Sequence, residues 1–408
     1  MKGSPPAMNS ERGCEEGAAE LLSREMRAHL EGKILPFWES LRDDKNGGYC
    51  GYVGSSLERN WNAHKGCILN SRILWTFSTA ARVLEAPSLL EYAHHALDFM
   101  EWFRDRQYGG YIWSVSFDGK PLDTAKHTYC QAFAVYALSA YAGAAGDRRA
   151  LETALDLFDL IEVKCQDPEG YGESYGRDFS PQSNEKLSEN GILATRTMNT
   201  LLHIVEAYAE LYRVSSEERV RQRGAAALEL LEKKVFDPVK CRLGVFFDRD
   251  YRSLLDMQSY GHDIEASWLL WDAAETLLPP EGRNGMRSLS LALSSSVLER
   301  AMTPTGLRNE NVLGVSNEER VWWVQAEAFL GFENGYLLSG EVKFNTAAHR
   351  VWAFIQESIV DHRPGGEWHW SVSESGTPLG KPAVEEWKCP YHNSRMCLRA
   401  IGQEKRSP

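Results

Sequence analysis

A recurrence with a period near sixty residues constrains this chain more than any other feature of its sequence. Stretches rich in glycine and aromatic residues return six times: NGGYCGYV from 46, YGGYIWSVSFDGKP from 108, EGYGESYGRDF from 169, RLGVFFDRDY from 242, TGLRNE from 305 and PGGEWHWSVSESGTP from 364. With Gly47, Gly109, Gly170, Gly244, Gly306 and Gly365 as markers, the spacings are 62, 61, 74, 62 and 59 residues. Several stretches alternate apolar and polar residues around a glycine turn, as in Tyr111 to Gly119 and Trp368 to Thr377, and this predicts short hairpins.

Two segments with helical apolar periodicity lie between successive markers. Leu69, Ile73, Trp75 and Phe77 open the first pair, and Leu89, Leu90, Ala93, Leu97 and Met100 complete it. Further pairs read at 128–143 with 147–164, 196–213 with 217–234, 260–278 with 285–302, and 320–338 with 342–360. Within the second pair, Gly146 can cap one helix and Asp147 can start the next. A sixth pair needs a helix at 390–403 and a partner. The unused amphipathic segment is 18–41, with Leu21, Leu22, Met26, Leu30 and Ile34 on one face. The chain ends then meet, and an open array becomes a ring without exposed apolar ends. The predicted fold is an all-α (α/α)6 barrel of twelve helices, six inner and six outer, with hairpins at one mouth. It forms a single catalytic domain over 18–408, with a disordered extension expected over 1–17. An open helical solenoid is the competing arrangement.

Charge and composition narrow the partners. With 45 Lys and Arg against 57 Asp and Glu, the net charge is -12. No dense basic block forms a footprint for nucleic acid or anionic lipid. No apolar run is long enough to cross a bilayer, and the first twenty residues lack the pattern of a secretory leader. Eight cysteines stand far apart without a C-x-x-C pair, so reduced thiols in a cytoplasmic protein are expected. Aromatics make up 11% of the chain, many of them in polar, glycine-containing stretches. Sugar rings stack on such surfaces, so carbohydrate is the expected partner.

In a ring of this kind each inner helix starts just after its hairpin, and polar residues near those starts converge on one cavity. Every repeat supplies some: Arg72 in GCILNSRILW, His127 and Tyr129 in KHTYCQAF, Asn199 and His203 in RTMNTLLH, His262 and Glu265 in SYGHDIEASW, Trp322 and Trp323 in VWWVQAEAF, and Trp387 with His392 in EEWKCPYHN. Taken singly, His127 and His203 read more readily as hydrogen-bonded core residues than as functional ones, and Trp322 or Trp323 can be plain core. His262 and Glu265 are three apart and share a helix face, which lets the carboxylate orient the imidazole or stabilise its protonated form. Arg72, between Leu69 and Ile73, needs a partner or substrate to offset burial of its charge. No His and carboxylate cluster has metal-ligand spacing, and GYGESYG lacks the spacing and frame of a phosphate loop. Glycoside hydrolysis needs two carboxylic acids about one bond, and these helix starts offer one obvious carboxylate, Glu265. Histidines suit proton transfer at carbon better, because an imidazole titrates near neutral pH.

The blocks LRDDKNGGYCGY, SRILW, KHTYCQAFAVYALS, LSENG with TMNTLLH, SYGHDIEASWL, RVWWVQAEAF and WKCPYHNSRM resemble the N-acylglucosamine 2-epimerase superfamily over about 20–402. GHDIEA together with WKCPYHN is most similar to its cellobiose 2-epimerase branch. The resemblance implies cofactor-free epimerisation at C2 of the reducing-end glucose of a β-1,4-linked disaccharide such as cellobiose or lactose. A monomer without a bound metal is the expectation beside it. It implies His262 and His392 as the acid/base pair, Glu265 orienting His262, and Arg72 stabilising the developing oxyanion. Asn199, His203 and Tyr129 would bind hydroxyls, with His203 also assisting proton traffic. Trp387 and one of Trp322 or Trp323 would stack on the sugar rings. The alternatives are an N-acylglucosamine epimerase, a mannose-type aldose–ketose isomerase, or a glycoside hydrolase or lyase on the same barrel.

Overall fold

The computed structural model describes residues 20–187 and 191–404, and the extension expected over 1–17 lies outside them. Among the described residues, twelve helices run in inner and outer pairs. Outer helix α1 covers 20–39 and includes a π-helical turn at Leu30–Ile34. It is followed by α2 (Cys67–Val83) and α3 (Leu90–Met100), then α4 (Thr128–Ala145) and α5 (Arg148–Lys164). Next come α6 (Met198–Ser215) with α7 (Glu218–Leu230), and α8 (Tyr260–Leu277) with α9 (Asn284–Arg300). The series ends with α10 (Trp322–Ser339), α11 (Val342–Phe354) and α12 (Tyr391–Glu404). Each lies within a few residues of its predicted segment.

The even-numbered helices are the inner ones. α2 packs on α4, α4 on α6, α6 on α8, α8 on α10, α10 on α12, and α12 back on α2. The ring is closed, which excludes the open solenoid, and α1 packs against α12 to make the sixth pair from the two chain ends. Burial separates the two layers. In α2 every residue from Cys67 to Ala81 is buried, because neighbours enclose it on all sides. In α5 only Ala150, Ala154, Leu157, Phe158 and Ile161 are buried, the single stripe of a helix with one face in water. The predicted turn between α4 and α5 forms as read: Gly146 takes φ +69°, and Asp147 Oδ1 accepts from the N–H groups of Arg149 at 2.8 Å and Ala150 at 3.0 Å.

Short antiparallel ladders join each repeat to the next. Lys65–Gly66 pairs with Ser114–Val115, Lys126–His127 with Ser174–Tyr175, and Arg196–Thr197 with Phe246–Phe247. Met257–Ser259 pairs with Glu310–Val312, and Arg320–Val321 with Ser371–Val372. The seam uses the same device, with Val53 N donating to Val384 O at 3.0 Å and Val384 N to Val53 O at 3.1 Å. Five of the strands lead directly into an inner helix, so the inner-helix N-termini all open on the mouth that carries the hairpins.

Polar pins fix hairpins to helices. The fourth residue of α4, Gln131, donates to Tyr111 O and accepts from Tyr111 N, both at 2.7 Å. Gln325 does the same to Leu307 from the fourth position of α10, at 2.9 and 2.8 Å. The buried cations two residues before α2, α4 and α6 reach back to hairpin carboxylates: Lys65 to Asp43 at 2.8 Å, Lys126 to Asp105 at 3.2 Å and Arg196 to Asp167 at 2.6 Å. Gly48 has φ +66°, and a Cβ there would lie 2.6 Å from the Phe99 ring, which accounts for the second glycine of NGGY. One hairpin was not predicted. Glu310–Val312 turns back to Val315–Asn317, and Val312 packs against a small satellite cluster of Ala194, Val245, Phe246 and Met257. No described helix is long and apolar enough to cross a membrane.

Candidate active site

A cavity of about 350 Å³ lies at the N-terminal ends of the inner helices. Ten of the eleven residues read near the inner-helix starts line it: Arg72 from α2, Tyr129 from α4, Asn199 and His203 from α6, His262 and Glu265 from α8, Trp322 and Trp323 from α10, Trp387, and His392 from α12. Lys186, Leu187 and Trp370 complete the wall.

The three histidines share one mode of attachment. His392 Nδ1 bonds Glu327 Oε1 at 2.7 Å, His203 Nδ1 bonds Glu206 Oε2 at 2.8 Å, and His262 Nδ1 bonds Ser259 Oγ at 2.8 Å. The partner of one ring nitrogen fixes what the other can do. Opposite the two carboxylates Nδ1 carries the proton, which leaves Nε2 as the basic nitrogen of His203 and His392. Burial, followed by the His203 charge, pushes His262 down to about 3. Burial, followed by Arg395 and Arg72, pushes His392 well below the usual imidazole range. Both rings are therefore neutral at pH 7 and able to accept a proton.

Glu265 does not orient His262, contrary to the expectation from sequence. It sits 3.9 Å from His392 Nδ1 and accepts from Arg395 Nη2 at 2.5 Å. The shared helix face was read correctly, but a buried guanidinium is a stronger partner for a carboxylate than a neutral imidazole. Arg395 also donates to Glu327 at 2.7 Å and to Glu206 and the Tyr391 hydroxyl. Tyr391 Oη donates to Glu206 at 2.5 Å, and Trp268 Nε1 donates to Glu327 at 2.8 Å. Burial alone would lift Glu206, but Arg395, then His203 and Tyr391, hold it at about 2. Glu265 is raised by burial and by the charge of Glu327, against the pull of Arg395. Glu265, Glu327 and His392 bring three donor atoms within 4.8 Å of one another. Arg395 already engages both carboxylates, so these side chains are held as an ion-pair cluster.

Glu206, Glu327, Tyr391 and Arg395 were not singled out from sequence. A signal for two of them was present: Glu206 follows His203 by three residues, and Arg395 follows His392 by three, the spacing already noted for His262 and Glu265. Glu327 carried only the oddity of a carboxylate in an apolar inner helix.

Arg72 is 2% exposed, and among the described residues no carboxylate lies within ion-pair distance of it. Its Nη2 donates to Tyr129 Oη at 2.8 Å, and its guanidinium lies 4.3 Å from the Phe133 ring centroid and 4.9 Å from that of Tyr391. Among the described residues its Nε has no hydrogen-bond partner, and neither does Oδ1 of Asn199. The two tryptophans of α10 divide. Trp322 is buried beneath Lys388, whose Nζ lies 4.4 Å from its ring centroid. Trp323 is half-buried, 4.8 Å from the His262 ring and 5.4 Å from the His392 ring. His127 stays out of the cavity: its Nδ1 accepts from Tyr129 N at 3.2 Å as the α4 cap, and its Nε2 meets Asn184 Oδ1 at 3.1 Å.

Residues 48–394 match the family model described as N-acylglucosamine 2-epimerase (GlcNAc 2-epimerase). A cellobiose 2-epimerase from Eubacterium cellulosolvens is 47% identical over 389 residues, which span 91% of this chain and 96% of that protein. The solved structure of a cellobiose 2-epimerase from Bacillus thermoamylovorans B4167 superposes with a TM-score of 0.91 at 42% identity, covering 94% of this chain and 100% of the other. A D-mannose isomerase structure, 18% identical with a TM-score of 0.81 over 93% of this chain and 98% of its own, shares the fold. A closed ring of helices, a cavity lined by three imidazoles, and a family match over most of the sequence agree, and the chain belongs to the N-acylglucosamine 2-epimerase family.

Proposed function

We propose that the protein epimerises C2 of the reducing-end glucose of β-1,4-linked disaccharides, converting cellobiose to 4-O-β-D-glucosyl-D-mannose and lactose to epilactose. One observation carries this reading: three imidazoles are held by Nδ1 around a single cavity beside Arg72, a buried cation with no carboxylate partner among the described residues. In the ring-opened sugar the C1 aldehyde acidifies the C2 proton. A neutral imidazole removes it, leaving an enediolate, and a proton returned to the other face of C2 gives the mannose configuration. His262 and His392 are the acid/base pair in this reading, with His203 assisting proton traffic. Arg72, with Tyr129 Oη beside it, stabilises the negative oxygen, where a fixed cation in a water-poor site acts strongly. Asn199 Oδ1 accepts from a hydroxyl, and Trp387 and Trp323 present half-buried faces to the sugar rings. The carboxylates here are bound by Arg395, so they are poorly placed for the acid and nucleophile roles of glycoside hydrolysis.

The same reading has the enzyme working as a monomer, in the cytoplasm and without a cofactor. The seven described cysteines are all free thiols, which fits a reducing compartment. The test is incubation with cellobiose in heavy water. Glucosyl-mannose carrying deuterium at C2 is the expected product. Unlabelled product would end the proton-transfer mechanism, and free glucose would mark a hydrolase.

A further inference from the structure

Beneath the cavity the ring carries a layer of buried charge that the reaction as written does not use. Arg395, 1% exposed, joins carboxylates from three different inner helices: Glu206 of α6, Glu265 of α8 and Glu327 of α10. Two catalytic-cavity histidines rest on that layer, His203 through Glu206 and His392 through Glu327. Its far side lines a second cavity of about 170 Å³ at the C-terminal ends of the inner helices, where Glu206 and Arg395 meet Glu210, Arg213 and Asp272. Arg395 does not line the catalytic cavity, so it can reach the substrate only through other residues.

We propose that Arg395 is a positioning residue of the epimerisation, fixing the imidazoles of His203 and His392 through Glu206 and Glu327. This rests on the epimerase reading above. The guanidinium is suited to the task because its planar fork bonds several carboxylates at once, which an ammonium does not. The groups facing His392 are Arg395 and Tyr391 from its own helix, Arg72 from α2, His203 and Glu206 from α6, Glu265 from α8 and Glu327 from α10. The cations among them oppose protonation of the ring and the carboxylates favour it. Removing the charge of Arg395 while leaving three carboxylates therefore moves the His392 pKa upward.

The experiment is the pH profile of kcat/KM for cellobiose in the wild type, Arg395→Met and Arg395→Lys. In Arg395→Met the acid limb moves up by about one pH unit or more, and kcat falls about 100-fold while KM stays within about threefold. In Arg395→Lys the limb stays within about 0.3 unit, because the charge remains, and kcat falls about tenfold because the fork is lost. An acid limb unmoved in Arg395→Met overturns the proposal. If that variant does not fold, Glu327→Gln gives the decision, since losing the anion at Nδ1 lowers the limb by about one unit and an unmoved limb again overturns it. A wild type that forms no 2-epimer defeats the underlying reading, an outcome distinct from an active wild type whose variants keep its pH profile.

Discussion

His392 is held by one ring nitrogen and offers the other. That division gives a substitution that separates chemistry from structure. In His392→Asn the side-chain amide can still donate to Glu327, as Nδ1 does now at 2.7 Å, but no atom replaces Nε2. The expected outcome is a fall in kcat of about 10²–10⁴-fold with unchanged far-UV circular dichroism and melting temperature. Turnover within threefold of the wild type would take His392 out of the mechanism. The residues of this cavity were legible in sequence to the extent that they stand near the start of an inner helix, just after a hairpin; His203, His262 and His392 all do. The charges one turn deeper were not, because Glu206 and Glu327 sit in runs such as VEAYAE and VQAEAF, where pattern alone does not tell a buried ion pair from an outward-facing carboxylate. The mistaken partner for Glu265 has the same origin. Spacing along one helix names a face, and the competing guanidinium comes from a segment 130 residues away.

Hairpins and helices are coupled through side-chain amides that imitate a strand partner. Gln131 satisfies both backbone groups of Tyr111, and Gln325 both groups of Leu307. All four side-chain atoms are buried with their partners, so Gln131→Ala strands an N–H and a C=O away from water. Each unpaired group costs about 1–3 kcal/mol, and Gln131→Ala is expected to lower stability by about 2–4 kcal/mol in equilibrium denaturation. Gln325→Ala should do the same, and a loss under about 0.5 kcal/mol for both would show that the clamps are incidental. Helix periodicity was the part of the elements most clearly written in the sequence, and the capped turn at Gly146 and Asp147 was readable residue by residue. The ladders were harder, because each has only two or three residues and its partner belongs to the next repeat. The hairpin at Glu310–Asn317 escaped because its turn, VLGV, has neither the aromatic residues nor the doubled glycine that marked most of the others.

At the scale of the molecule, the ring makes the natural position of the chain break one choice among six. Inner helix and following outer helix are joined by short turns in the other pairs, as at Gly146 between α4 and α5. α12 and α1 pack together as such a pair without being joined in sequence, while Val53 and Val384 are paired through the backbone at the opposite mouth. A permuted chain that begins at Asp147, connects residue 404 to residue 20 through a short glycine–serine linker, omits 1–19 and 405–408, and ends at Gly146 would keep every inner contact of the ring. The new break falls in an exposed turn where added atoms meet nothing within 4 Å of Gly146, a favourable place for termini. The permutant is expected to fold and to epimerise cellobiose with kcat/KM within about tenfold of the parent, since each repeat contacts its neighbours irrespective of chain order. An open solenoid, with its ends far apart, would be torn by the same linker. Insoluble or unfolded permutant, alongside a folded control carrying the linker residues at residue 404 without the new break, would count against the closed ring as the source of the cavity.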